Sequence, residues 1–301
     1  EAPEGTERFD IVLANGDRVH AWYLPAPATP HSAPNEAPTA LYLHGSRWNL
    51  HNSVFRLRRW HELGFNMLAI DYRGFGDSTP MLPSEDSAFE DVLAAFEELK
   101  RRQPDPARRF VYGHSLGGAL AIRLAAEVEA EHALAGVVVE SSFTSIVDLA
   151  AGTRWGWLPG LRWLVTQRFD SLARVETVDE PLLFIHGTAD RVVPHEMSDR
   201  LAIEKELQQT NALLEQKVEE RTADIQNMNA HLSLSRQNLE IAHKAAGIAS
   251  WDWNIQHRQI ECSNFESILG YDTQEMNQWV QDMSKLVHPE DYPGTRQALF
   301  E

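Results

Sequence analysis

The stretch Gly113-His114-Ser115-Leu116-Gly117-Gly118 limits what this chain can fold into more than any other. It follows the apolar run Phe110-Val111-Tyr112 and opens a small-residue run, Ala119 to Ala126, that reads as a helix. Strand, Gly-x-Ser-x-Gly and helix in that order require a sharp turn with the serine at its apex, above the end of a sheet. Gly113 and Gly117 remove the side chains that would keep strand and helix apart. On such a turn the next backbone N–H, that of Leu116, points into the same space as the Ser115 hydroxyl. The bland alternative is a glycine-rich turn that merely holds a serine; the strand before and the helix after weigh against it.

The pattern around this stretch is that of strands alternating with helices. Arg8 to Leu13 and Arg18 to Leu24 are strand-like and flank Asn15-Gly16, a hairpin signal. Residues 25–38 carry five prolines and read as a surface loop. Ala40 to Leu43, Asn66 to Tyr72, Ala135 to Glu140 and Pro181 to Gly187 are further strands, the short apolar runs expected of buried ones. Helices are expected at Val54 to Leu63 and Glu85 to Arg102, the second with Phe89, Val92, Leu93 and Phe96 at helical spacing. Such alternation implies an α/β fold, a mostly parallel sheet with helices on both faces. Residues 141–179 break the rhythm and carry Phe143, Trp155, Trp157, Trp163 and Phe169. They are read as a helical cap giving a pocket an apolar wall, with extra core helices as the alternative.

Residues 8–200 resemble the α/β-hydrolase family, within it esterase-like and thioesterase-like members. The motifs that carry the resemblance are His44-Gly45, Asp71-Tyr72-Arg73-Gly74-Phe75-Gly76, the nucleophile elbow at Ser115, and His186-Gly187-Thr188-Ala189-Asp190-Arg191-Val192-Val193-Pro194. The resemblance implies that Ser115 is the nucleophile, that the backbone N–H groups of Leu116 and Ser46 form an oxyanion hole, and that Asp190 is the triad acid. Glu140, ending a strand, is an alternative acid. His44 and His114 are expected to hold their loops by hydrogen bonds, and Asp71 and Arg73 to be structural. The substrate implied is a small-molecule ester or thioester; no cofactor and no metal are implied.

The same resemblance places the triad histidine on a loop after one more strand. The corresponding stretch, Asp199 to Arg221, holds no histidine, no strand pattern and no glycine. His195 lies too near Asp190, at the start of a helix, and His231 and His243 lie in a helical run. The expectation is a sheet without its last strand and a serine without a general base, which leaves the hydroxyl a poor nucleophile near neutral pH.

Composition changes near residues 200–206. Thirteen of 15 prolines and 14 of 17 glycines precede residue 201. From Leu207 two sets of positions recur every seven residues: Leu207, Leu214, Arg221, Met228, Ser235 and Ala242, with Asn211, Val218, Ile225, Leu232 and Leu239 between them. Eight of these eleven are apolar, which argues for a coiled coil and a homodimer through residues 204–242. The string Leu214 to Ile225 resembles the signalling helix of bacterial sensor histidine kinases. Beyond it a strand in Ala246 to Asn254, a strand Gln259 to Ser263, a short helix Phe265 to Tyr271 and the string His288-Pro289-Glu290-Asp291 resemble the first half of a PAS domain.

Three segments are therefore expected: residues 1–201 as a truncated α/β-hydrolase domain, 202–242 as a coiled-coil helix, and 243–301 as a partial α+β PAS fold. The function implied is an impaired serine hydrolase; the alternatives are a sensory or dimerisation module without chemistry, or a fused or artificial chain with neither parent activity. A formal net charge of -17, spread over both halves, argues against nucleic acid as a partner. One cysteine, Cys262, excludes an intrachain disulfide and a cysteine-rich zinc site. Opening at Glu1 is compatible with removal of an upstream segment, so no compartment is assigned.

Overall fold

The computed structural model describes residues 1–27, 36–47, 49–128, 134–151, 165–254, 257 and 259–263, with positions 268, 270, 274 and 290. It divides into two compact units, Glu1–Ala212 and Leu213–Glu301.

The first unit is built on seven strands: β1 (Glu7–Val12), β2 (Arg18–Leu24), β3 (Thr39–Leu43), β4 (Asn66–Ile70), β5 (Arg109–His114), β6 (Gly136–Glu140) and β7 (Leu182–Ile185). Their order across the sheet is β1-β2-β4-β3-β5-β6-β7. The β1–β2 and β2–β4 pairs are antiparallel, and every pair from β4 through β7 is parallel. Every residue of β3 and β4 is buried, because helices cover both faces of the sheet there; hence their continuous apolar runs. β1, an edge strand, alternates instead between half-buried and exposed positions.

Adjacent residues of β3 point to opposite faces and so enter two different cores. Leu41 and Leu43 join Phe89, Val92 and Phe96 of α2 (Glu85–Arg102), Leu120 and Leu124 of α3 (Leu116–Glu127) and Val175 of a short helix, Ser171–Val175. Ala40 and Tyr42 join Trp22, Met67, Tyr112 and Leu57 of α1 (Val54–Glu62). The sequence dictates the limits of α2. Ser84 accepts from the Ser87 N–H while the Ser87 hydroxyl accepts from the Ser84 N–H. Glu85 and Asp86 occupy the first turn and Lys100, Arg101 and Arg102 the last, each matching the helix dipole. Leu93, expected on the apolar stripe, is 41% exposed; the buried face runs through Ala88, Phe89, Val92, Ala95, Phe96 and Leu99.

Two aromatic residues assigned to a cap belong to the core instead. Phe143 and Phe169 are buried in the cluster on the α2–α3 face, so they fill the domain interior rather than wall a pocket. Trp155, Trp157 and Trp163 lie outside the described residues. β7 ends the sheet, and among the described residues no strand pairs with its outer edge. Leu183 and Ile185 on it are 55% and 45% exposed, as expected of a strand at a sheet edge.

From β7 the chain turns into one uninterrupted helix of 52 residues, His195–Ala246, labelled α4 here. Its first turns contribute Ser198, Leu201 and Lys205 to the interior of the first unit, so the boundary expected at 201/202 falls within a continuous helix. It ends at Gly247 (φ 64), after which the Ile248 N–H returns to the His243 carbonyl. In the second unit β8 (Ser250–Asn254) and β9 (Gln259–Ser263) form an antiparallel pair, with Ser250 opposite Ser263 and Asn254 opposite Gln259. Both strands occupy the positions expected; of the helix expected at 265–271 only Ile268, which is helical, and Gly270 are described, and of the string at 288–291 only Glu290. Among the described residues no helix is long and apolar enough to cross a membrane.

Leu41→Ala tests the double-faced core. Leu41 has no exposed surface, so truncation should cost about 2–5 kcal/mol in urea unfolding of the first unit. Leu234→Ala, on a residue 57% exposed, should stay within about 0.5 kcal/mol of the parent.

Candidate active site

Ser115 sits between β5, which ends at His114, and α3, which starts at Leu116. Its backbone is at φ 53, ψ -114, outside the regions a side chain favours. Such a residue costs of the order of 1–3 kcal/mol and persists only where its surroundings enforce it. The Ser115 N–H donates to the Glu140 carbonyl at 2.8 Å, and the Ser142 hydroxyl donates to the Ser115 carbonyl at 2.9 Å. The glycines are required by contact. A Cβ on Gly113 would meet the Gly117 carbonyl oxygen at 2.1 Å, and one on Gly117 would meet the Leu43 carbonyl oxygen at 2.0 Å.

A cavity of about 520 Å³ opens at this turn, lined by Gly45, Ser46, Arg47 and Asn52 from the segment after β3, His114 and Ser115 from the turn, Ser141 after β6, and Asp190, Val192 and Val193 after β7. It thus brings together Ser115, Ser46 and Asp190, three of the four residues singled out from the sequence. The fourth, Leu116, is 9% exposed and begins α3 directly after the serine. Gly45 lies against the turn: a Cβ there would stand 3.2 Å from the Ser115 Cβ. The loop bearing Ser46 is therefore seated on the serine itself.

Asp190 is held by the start of its own loop. One carboxylate oxygen accepts the Val192 and Val193 N–H groups at 2.8 and 3.1 Å; the other lies 3.6 Å from His186 Nε2. Burial pushes this carboxyl up, but the two N–H donors and the nearby imidazoles of His186 and His114 outweigh it and hold it below the ordinary aspartate value. His186 has both ring nitrogens occupied, Nδ1 with the Ser198 hydroxyl at 2.6 Å and Nε2 with the Val193 carbonyl at 2.9 Å, so it braces the loop.

Glu140 is not a spare acid. Arg56 grips its carboxylate with two hydrogen bonds of 2.9 Å, and the Tyr112 hydroxyl donates to the same group. Burial raises the Glu140 carboxyl, yet Arg56 and Tyr112 together bring it below the usual value. Asp71 and Arg73 are structural as expected. Asp71 accepts the Leu50 N–H at 2.8 Å, and buried Arg73 is paired with Asp91 at 2.7 Å. His44 donates from Nδ1 to the Gly45 carbonyl at 2.9 Å and accepts at its own carbonyl from the Tyr72 hydroxyl at 3.1 Å, which fixes the loop carrying Ser46.

Several lining residues were not expected from the sequence. Ser141 has a positive φ of 49 with no glycine to announce it. Arg47 and Asn52 follow His44-Gly45 without a recognisable spacing. His114, assigned only a loop-holding part, lines the cavity beside Ser115 and Asp190. Burial, assisted by the Arg56 cation, pushes it down to about 4. His195 lies 3.5 Å from Glu196 and 3.9 Å from Asp199 and does not line the cavity; His231 and His243 belong to the later part of α4. Among the described residues, no cluster of histidine, cysteine and carboxylate side chains is arranged to hold a metal ion.

With this geometry in place, comparison with known proteins is informative. Residues 39–172 match the family model described as serine aminopeptidase, S33. An uncharacterized protein of Mycobacterium tuberculosis is 34% identical over 195 residues, which is 64% of this chain and 65% of that protein, so the chain spans just under two thirds of this relative. Lysophosphatidylserine lipase ABHD12 of Rattus norvegicus is 31% identical over 60% of this chain and 47% of its own length. Among solved structures, the esterase Pf2001 of Pyrococcus furiosus is similar in fold, with a TM-score of 0.50 and 24% identity over 67% of this chain and 78% of that one.

The His44 ring generates a pH prediction. Burial lowers it to about 4 against about 6.5 in an unfolded chain. Between these values the unfolded chain takes up a proton that the native ring refuses, so stability is complete above about pH 6.5 and is lost as pH falls towards 4. The loss attributable to this ring is roughly 3 kcal/mol. His44→Asn, measured by urea unfolding from pH 7.5 to 4, should flatten the profile over that interval by a comparable amount.

Proposed function

Because this chain carries an α/β-hydrolase domain, we propose that its chemistry is serine-dependent hydrolysis of carboxylic esters or thioesters, with Ser115 as nucleophile. The observation that carries this reading is the strained turn at Ser115, which opens onto the cavity shared with Ser46 and Asp190. In this reading the Ser115 oxygen attacks the substrate carbonyl carbon. The carbonyl oxygen, as it takes up negative charge, is met by the Leu116 and Ser46 N–H groups. Asp190 provides the anion that would orient an imidazole and stabilise its charged form.

The proton of Ser115 has no adequate acceptor among the described residues. Efficient general bases have a pKa near the working pH. His114 lines the cavity but is held at about 4, too weak a base for that task near neutrality. Arg56 and Tyr112 occupy Glu140, and Val193 and Ser198 occupy His186. Turnover should therefore be far below that of a complete triad. In the protease series from which the scale is known, removing the serine or the histidine costs about a million-fold.

The test is p-nitrophenyl acetate hydrolysis by the parent chain and Ser115→Ala, with and without added imidazole. Without imidazole the two should hydrolyse within a few-fold of each other. With imidazole supplied as the missing base, the parent should exceed Ser115→Ala. Strong Ser115-dependent turnover without imidazole would mean that a base is already present, and the His114→Ala variant would show whether His114 supplies it. Equal rates for parent and variant under both conditions would falsify the hydrolase reading.

A further inference from the structure

The later part of α4 presents an apolar stripe to solvent. Leu207, Leu214, Val218, Ile225, Met228, Leu232 and Leu239 are each between 51% and 63% exposed. Together with Asn211, Arg221 and Ser235 they recur at alternating steps of four and three, the spacing that keeps one seam on one side of a helix. A helix of this length needs such a face covered, since helical stability in proteins comes mainly from packing an amphipathic face. Its own surface offers little in exchange. Arg236 and Glu240, 3.6 Å apart and both exposed, form a pair of the kind that contributes only about 0.3–0.5 kcal/mol.

We propose that this seam is the contact surface for a second copy of the chain, the two helices pairing in parallel and in register through residues 204–242. The area is sufficient. Seven large seam side chains on each helix, at roughly 100 Å² each, would remove about 1,400 Å² from water, within the range of stable specific interfaces. Residue identity selects orientation. The step of three from Asn211 to Leu214 puts Asn211, Val218, Ile225, Leu232 and Leu239 at the first core position of the heptad, a. Leu207, Leu214, Arg221, Met228, Ser235 and Ala242 take the other, d. β-branched Val218 and Ile225 at a, with Leu214 and Met228 at d, favour two parallel strands.

The polar seam positions select the register. In a parallel pair of identical helices, Asn211 meets Asn211, where two amides can hydrogen-bond to each other, and Ser235 meets Ser235. A slip of one heptad would set the Asn211 amide against Val218, burying it without a partner. Arg221 faces its copy in the aligned pair and is the weak layer. Asp224, three residues on along the same helix, offers each guanidinium an acidic neighbour at the edge of the seam. A different partner helix would need matching polar groups at all three layers, whereas a second copy supplies them automatically.

The experiment uses the full chain in a Cys262→Ser background, so that no native thiol competes. Sedimentation at tens of micromolar should give the dimer mass. Leu239→Cys should form a disulfide-linked dimer on mild oxidation, because position 239 meets itself only in the parallel, aligned pair, an antiparallel one setting it against Leu207. Ile225→Lys with Leu232→Lys should weaken dimerisation on the order of 100-fold while leaving the circular dichroism of the first unit intact, since both residues are already exposed. A monomer at these concentrations overturns the proposal. A dimer without the 239–239 cross-link overturns its parallel register, and a dimer that survives the double lysine variant shows that another surface makes the contact.

Discussion

The close passage of α3 over the ends of β3 and β5 is the contact on which the first unit depends. Gly117 lies so near the Leu43 carbonyl, and Gly113 so near Gly117, that no side chain fits at either position. That proximity forces Ser115 into its strained backbone, and the strain is contained by hydrogen bonds from both sides: its N–H to Glu140 and its carbonyl from Ser142. Glu140 is in turn fixed by Arg56 of α1, on the opposite face of the sheet from α2 and α3. One serine is thus tied to β6 and, through Glu140, to the helix on the other face. The same packing that closes the core raises the hydroxyl to the cavity.

Several buried polar groups around the cavity bond within the loop they stabilise. His44 bonds to the carbonyl of Gly45, His186 to Val193, and Asp190 to the N–H groups of Val192 and Val193. Three histidines lie near the serine among the described residues, and each has a part of its own there. His44 and His186 are used in shaping loops, and desolvation lowers His114 to about 4. A general base needs one ring nitrogen facing the hydroxyl and an environment that keeps it basic; the loops here take one requirement or the other from each ring.

The framework was legible in the sequence because its signals are local. Glycines at a forced close approach and short apolar central strands each depend on residues a few positions apart. What escaped notice depends on distance in space. Arg56 and Glu140 are 84 residues apart, and neither carries a mark that predicts their ion pair. Ser141 adopts a positive φ because the chain must leave β6 beside the Ser115 turn, a demand invisible in its neighbours. Phe143 and Phe169 read as a cap by their place in an aromatic insertion, but an insertion can lend side chains to the core it crosses. Leu93 shows the converse error: one apolar residue at nearly the right spacing, turned just outside the buried stripe.

The change of composition near residue 200 is legible too, but its structural meaning differs from a linker. Proline and glycine vanish there because the chain enters a single helix, and the helix does not stop where one kind of sequence gives way to the other. Leu201 and Lys205 are enclosed by the first unit, and from Leu207 onward the apolar positions are exposed. Two different demands therefore act on one helix: its first turns must close the core of the first unit, and its later turns must satisfy a seven-residue repeat. A helix meets both without a break because the backbone hydrogen bonds that propagate it do not depend on what its side chains pack against. It cannot, however, replace what a strand would have supplied. Helical backbone leaves no N–H or C=O free to pair along β7, so among the described residues the edge bearing Leu183 and Ile185 has no partner strand.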